Sequence, residues 1–345
     1  MLLRKIPLKT SMLILLSALS FIALSSITVG PMNITIADSA LSLFNPSNDL
    51  APHINLVIQE IRLPRTILCM LIGAILALCG AVMQGLFRNP LAEPGIIGVS
   101  AGAALGAALA IVLFSQVSMQ YPSFMNFAAV PVFAFLGGAL TTMLVYKLGT
   151  SKFGTSVTIM LLAGVAISAL SGAGIGFLNF IADDQMLRDL SLWSMGSLAG
   201  AKWSGIALAA ITLLGLFALF YRHAMSLNAL LLGESEAQHL GIPVQRLKRQ
   251  LILLTAAGVG ITVSLSGMIG FIGLVIPHLS RMLAGPDHRT LLPLSAILGA
   301  LLLTIADMFS RVVLAPAELP VGIVTAIIGA PFFLYLLFQQ KGRIL

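Results

Sequence analysis

The stretch Arg88–Gly95 reads R-N-P-L-A-E-P-G and lies between two long apolar segments. It carries a cation, a carboxylate and two prolines. Each proline lacks an amide N–H and pushes the residue before it out of helical conformation, so no helix runs straight through. Irregular, charged backbone next to membrane spans is tolerated only where protein or water covers it. The small-residue helix predicted to follow therefore opens on a hinge, and the chain is expected to enclose a pathway.

Outward from the hinge, 58% of the 345 residues are apolar and 9% charged, with a mean hydropathy of +1.03. Soluble domains carry roughly 25% charged residues. The apolar runs are roughly 18–24 residues long, the length of a helix crossing the hydrocarbon, and they lack the alternation of an outer-membrane barrel strand. The fold class is all-α and polytopic. The net charge of +7 does not signal nucleic acid, since no basic cluster is interleaved with aromatics. Cys69 and Cys79 share one apolar segment, about 15 Å apart along a helix, too far for a bridge.

Spans are predicted at 11–30, 63–86, 95–116, 127–148, 157–176, 201–221, 250–268, 270–284, 292–312 and 321–339, about ten helices. The first follows Arg4, Lys5 and Lys9; its length and the lack of an A-x-A site favour a retained span over a cleaved signal. The eighth is short and holds Pro277, as a half-helix or kinked helix would. Loop charge sets the orientation. With the N-terminus inside, Arg4, Lys5, Lys9, Arg88, Lys147, Lys152, Arg222, Arg246, Lys248, Arg249, Arg281, Arg289, Lys341 and Arg343 are internal, against external Arg62, Arg65, Arg188, Lys202 and Arg311. Segments 31–62 and 177–200 are then external and suit short amphipathic helices. The internal loop 222–249 is rich in Glu, Gln and basic residues. The openings Arg65-Thr-Ile-Leu and Arg249-Gln-Leu-Ile leave a weak internal repeat open.

Gly164, Ser168, Gly172 and Gly176 share one helix face, as do Gly98, Gly102, Gly106 and Ala110. Such stripes serve close helix packing or line a path; spacing alone leaves both readings. Gly149–Ser156 has the glycine spacing of a phosphate loop, but Thr155 stands where the lysine belongs, so ATP is expected on another chain. His278 and His288 flank a turn without metal-ligand spacing and read as structural. Asp307 inside a span is a functional candidate by default, with Arg311 one turn on as its partner. Leu227–Pro243 reads as two short helices broken at Gly233 and Gly241. The apolar face of Leu230, Leu231, Leu232 and Leu240 suggests docking to a partner.

Several ordered blocks resemble one family: R-L-P-R at 62–65, R-N-P-L-A-E-P-G-I-I-G-V-S-A-G-A at 88–103, L-L-A-G-V-A at 161–166, G-F-I-G-L-V-I-P-H at 270–278, G-P-D-H-R at 285–289 and A-E-L-P-V-G-I-V-T-A-I-I-G-A-P at 317–331. The chain resembles the BtuC/FecCD-type permeases of ABC importers for vitamin B12, ferric siderophores and haem. The resemblance implies one transmembrane permease domain over 1–345, in a homodimer with a central path. It also implies a bacterial inner-membrane location with both termini cytoplasmic, periplasmic segments at 31–62 and 177–200, and no cofactor held by this chain. A periplasmic binding protein would dock on Arg62, Arg65 and Arg311. A cytoplasmic ATPase dimer, holding ATP and Mg, would clasp Leu230, Gly233, Glu234 and Gly241. Gly164, Ser168 and Gly172 would line the path, gated by Asn89 and Leu91 with Thr155 and Ser156.

The segment Leu187–Ala201, with Trp193 and Met195, is most similar to haem-type members, so haem is the expected cargo, with a ferric siderophore or vitamin B12 as alternatives. An ion-coupled secondary transporter rests on Asp307 alone. A membrane enzyme would need a catalytic cluster within the spans, and the sequence offers none.

Overall fold

The apolar segment before the hinge becomes the most enclosed of the long apolar helices among the described residues. The computed structural model describes residues 8–45, 50–114, 129–152 and 154–341. Arg4, Lys5 and Arg343, used in the charge argument, lie outside the described residues. Ten helices of spanning character are present among them: α1 (Leu8–Thr28), α4 (Leu63–Leu86), α5 (Val99–Leu113), α6 (Val130–Gly149), α7 (Val157–Ile181), α9 (Trp203–Arg222), α12 (Val244–Ser266), α13 (Ile272–Ala284), α14 (His288–Val312) and α15 (Val321–Lys341). Seven are long and apolar enough to cross a membrane by themselves; α5, α13 and the apolar part of α15 are shorter. Contacts of Gly85 with His288, of Gln84 with Arg281, of Asn228 with Asp287 and of Lys248 with Glu234 and Thr155 gather the helix ends that carry Arg88, Lys147, Lys152, Arg222, Arg246, Arg281 and Arg289 at one end, here termed the basic face.

Short helices occupy the loops. At the opposite face lie α2 (Ile36–Phe44), α3 (Pro52–Leu56) and α8 (Asp184–Ser194); at the basic face lie α10 (Ala224–Leu232) and α11 (Glu234–His239). A π-helical stretch, Val57–Arg62, joins α3 to α4 just ahead of Pro64. A proline removes one i→i−4 bond, and the helix widens to accommodate the loss. Strands β1 (Thr150–Ser151) and β2 (Gly154–Thr155) pair antiparallel between α6 and α7. The phosphate-loop-like glycines thus belong to a small hairpin.

Helix α4 packs against α9, α12, α13 and α14. A Cβ at Gly73 would overlap the Gly299 carbonyl of α14, and one at Gly80 would overlap the Gly273 carbonyl of α13. Glycine at these positions lets backbones touch, which replaces the hydrophobic drive that lipid does not supply. The α5 stripe is likewise for packing: Gly102 and Gly106 press on Gly137, Thr141 and Phe133 of α6.

Four predicted boundaries are corrected, the first being α7, which is expected to end at 176 but runs on to Ile181, into the segment expected outside the span. The span expected at 95–116 is a 3₁₀ turn, Pro94–Ile97, followed by α5. Gly98, at φ +82°, makes the break in a conformation that glycine adopts without strain. Helix α12 begins at Val244 rather than 250, because Lys248 is buried against its neighbours instead of lying in a solvated loop. Helix α14 begins at His288 rather than 292, since Asp287 caps it.

Gly80→Ala should lower the thermal unfolding midpoint in detergent, with a cost of about 1–3 kcal/mol from forced separation of α4 and α13. Gly215→Ala, where nothing lies within 4 Å, should instead raise it, by about 0.4–1 kcal/mol.

Candidate functional site

Three spanning helices, α1, α4 and α14, meet with the segments next to them in a buried charge cluster at the face opposite the basic one. Asp307 of α14 is fully buried. Its Oδ1 accepts from Arg65 Nε and Nη2 of α4, each at 2.9 Å. Its Oδ2 accepts from Arg311 Nε at 2.7 Å and also from Arg311 Nη2. Arg65 Nη1 reaches Glu318 Oε2 at 2.6 Å. Arg311 goes on to the Ser26 carbonyl and hydroxyl of α1, and Ser26 meets the Thr66 hydroxyl at 2.8 Å. Arg62 donates to the carbonyls of Ile27, Thr28 and Met32 at 3.0, 2.6 and 2.6 Å.

The i,i+4 pair expected for Asp307 and Arg311 is formed, with Arg65 as a second cation. Arg62, Arg65 and Arg311 do lie together, but each is 2–4% exposed and engaged by internal acceptors. A carboxylate arriving from outside would have to compete with Asp307, Glu318 and these carbonyls. Asp307→Ala should cost about 3–5 kcal/mol, the scale for leaving buried cations unpaired, read as a lowered unfolding midpoint in detergent.

At the basic face, α10 and α11 form the expected helix pair. Gly233 (φ +133°) and Gly241 (φ +80°) make the breaks. The apolar face is not continuous as expected. Leu230 is 1% exposed and packs into the chain's own core, whereas Leu232 and Leu240 are 69% and 64% exposed and Leu231 lies between. Of the four leucines, the latter three are open to a partner, while Gly233 and Glu234 are half-exposed and Gly241 is exposed. Glu234 Oε1 pairs with the buried Lys248 Nζ at 2.6 Å. Asn228 of α10 donates to Asp287 Oδ1 at 2.6 Å and, through its own Oδ1, accepts from His288 Nδ1 at 2.8 Å. His288 thus ties α10 to α14. Among the described residues no group of three or more His, Cys, Asp or Glu is placed to hold a metal.

The backbone N–H of Arg289 and then the Asn228 amide hold the Asp287 carboxyl below its usual range. This cap is fully formed above the ordinary carboxylate value and is lost as pH falls through the lower folded one. The gap in unfolding midpoint between wild type and Asp287→Asn should therefore shrink as pH drops below about 4.

The hinge is built from its own polar atoms. Arg88 sits at φ +50°, the Leu91 N–H donates to Asn89 Oδ1 at 2.9 Å, and the Asn89 N–H to the Gln84 carbonyl at 3.1 Å. Asn89 is exposed and Leu91 half-buried. Glu93 turns inward and accepts from the Phe271 N–H, ahead of α13, at 3.3 Å. Gln84 donates to the carbonyls of Gly273 and Leu274 and accepts from Arg281.

The second expected gate pair is otherwise employed. Thr155 is buried, and Ser156 caps α7 by accepting from the Ile159 N–H. Of the α7 stripe, Gly164 presses on the Ile96 carbonyl, while Gly172 and Gly176 have nothing within 4 Å. Packing thus claims one end of the stripe and leaves the other open. Sequence reasoning missed Gln84, Glu93, Asn228, Gln245 and Lys248. Lys248 carried a signal, a charge three residues before an apolar run, which was read as loop.

The FecCD transport family matches residues 15–339. The hemin transport system permease HmuU of Yersinia pestis is 44% identical over 330 residues, covering 95% of each chain. The cobalamin import system permease BtuC of Halobacterium salinarum is 42% identical over 289 residues, covering 84% of this chain and 75% of that one. A solved chain described as an inward-facing metal-chelate type ABC transporter superposes with a TM-score of 0.83 at 33% identity, covering 96% of this chain and 99% of that one.

Proposed function

This chain belongs to the FecCD transport family, a multi-pass permease of the ABC-importer kind and a transport subunit rather than an enzyme, and we propose that it carries haem from periplasm to cytoplasm. The observation that carries the cargo is the 44% identity with a hemin permease over 95% of both chains. On this reading the protein is a homodimer in a bacterial inner membrane, with both termini cytoplasmic. The open end of the α7 stripe, Gly172 and Gly176, faces the path, and Asn89 and Leu91 gate it. An ATPase dimer with ATP and Mg engages α10 and α11 through Leu231, Leu232 and Leu240. A binding protein docks around Arg62, Arg65 and Arg311, where three guanidinium groups face two carboxylates and leave a net positive charge. In the segment chosen for haem, Trp193 is half-buried against the core, whereas Leu192 and Met195 are exposed; cargo contact falls to these two.

Vitamin B12 import is the second reading, favoured by the cobalamin permease relative. Ion coupling is disfavoured because two arginines hold Asp307.

Proteoliposomes holding this chain with its ATPase and binding protein should take up hemin only with ATP. Offered hemin, ferrichrome and vitamin B12 side by side, uptake of hemin supports the cargo assignment. Uptake of another compound overturns the cargo but keeps the permease, and uptake without an ATPase overturns both.

A further inference from the structure

Lys248 is a long cation at 2% exposure on the second turn of α12, and it faces two elements at once. Its Nζ pairs with Glu234 Oε1 at 2.6 Å, the first residue of α11. The same Nζ donates to the Thr155 carbonyl at 2.9 Å, the last residue of the hairpin between α6 and α7. One turn earlier, Gln245 Oε1 accepts from the Thr155 N–H at 2.8 Å. The backbone N–H and C=O of one residue, Thr155, are thereby both held by a single turn of α12. Gly154 lies so close to the Gln245 amide that a Cβ there would meet Nε2 at 2.5 Å. The next residue, Ser156, caps α7, which carries the open glycine face.

Stability does not explain this arrangement. Burying an ammonium costs several kcal/mol, and an apolar side chain of similar volume often serves as well or better. Retained buried pairs are best attested as devices that fix register between elements. Here the elements are the cytoplasmic helix pair, the hairpin and the start of α7.

We propose that Lys248 is a positioning residue that makes α11 and the 150–155 hairpin move as one body. Displacement of α10 and α11 is then transmitted through Thr155 and Ser156 to α7. This inference rests on the permease reading, in which an ATPase moves the helix pair. Glu234 is about one-third exposed, so it can rehydrate if Lys248 is neutralised, and Lys248→Met leaves no charge stranded in the core.

The test uses the full complex with its ATPase, comparing wild type and Lys248→Met. Hydrogen–deuterium exchange is measured without nucleotide and after trapping with ATP and vanadate. In the wild type, trapping should change exchange in 234–241 and in 150–156 together; in Lys248→Met the first segment should still respond and the second should not. Hemin uptake per ATP hydrolysed should fall roughly tenfold, within the scale on which coupled networks respond to single changes, while ATP turnover persists. A hairpin that responds equally in Lys248→Met, or a wild-type hairpin that never responds, overturns the linkage. Wild type without any ATP-dependent uptake or exchange change would instead overturn the permease reading, and this inference with it.

Discussion

Helix α4 has almost no free face, and the rest of the architecture is arranged around that constraint. Backbone meets backbone where it passes α14 at Gly73 and Gly299 and α13 at Gly80 and Gly273. In lipid, apolar side chains gain little by leaving the solvent, so association depends on close contact and on polar pairing. The glycine contacts fix the distances, and the polar groups of Gln84 on the same helix then reach the Gly273 and Leu274 carbonyls. Helix α13 can be short because its start is held within protein, by Glu93 on one side and α4 on the other.

The same scarcity of water organises both ends. At one, Asp307 is shared by two arginines, and a third arginine is satisfied by carbonyls from the end of α1 and the segment after it. At the other, Lys248 bridges a helix and a hairpin. A buried charge without partners costs far more than a pair contributes, so each cluster acts as a fixed joint between elements distant in sequence. Helix α7, by contrast, keeps half of its small-residue face uncovered within the chain. Rigid joints around a partly unpartnered helix are the arrangement expected of a body that moves against another.

Much of this was legible before any coordinates. The span at 63–86 is a continuous apolar run bounded by Arg62 and the hinge, and α4 occupies those same residues. The breaks at Gly233 and Gly241 were readable because the chain there needs positive φ. The misreadings share one cause. Lys248 and His288 were placed in loops because charge and polarity near a span end ordinarily mean solvent. Both sit inside helices, paired with residues 14 and 60 positions away: Glu234 by an ion pair and Asn228 by a hydrogen bond.

The sequence by itself determined the class, roughly the number of helices, and the family, because hydropathy over a span length is a local sum along the chain and the family blocks are contiguous runs of residues. Only the tertiary structure decided which small-residue stripe packs and which stays open, and that Leu230 belongs to the core. It alone showed that Arg62, Arg65 and Arg311 are internally engaged and that Thr155 is held by α12. Each of these depends on which side chain meets a group far along the chain, as Arg65 meets Asp307 across 242 positions. Helical spacing specifies the face a residue shares, and packing alone supplies what that face meets.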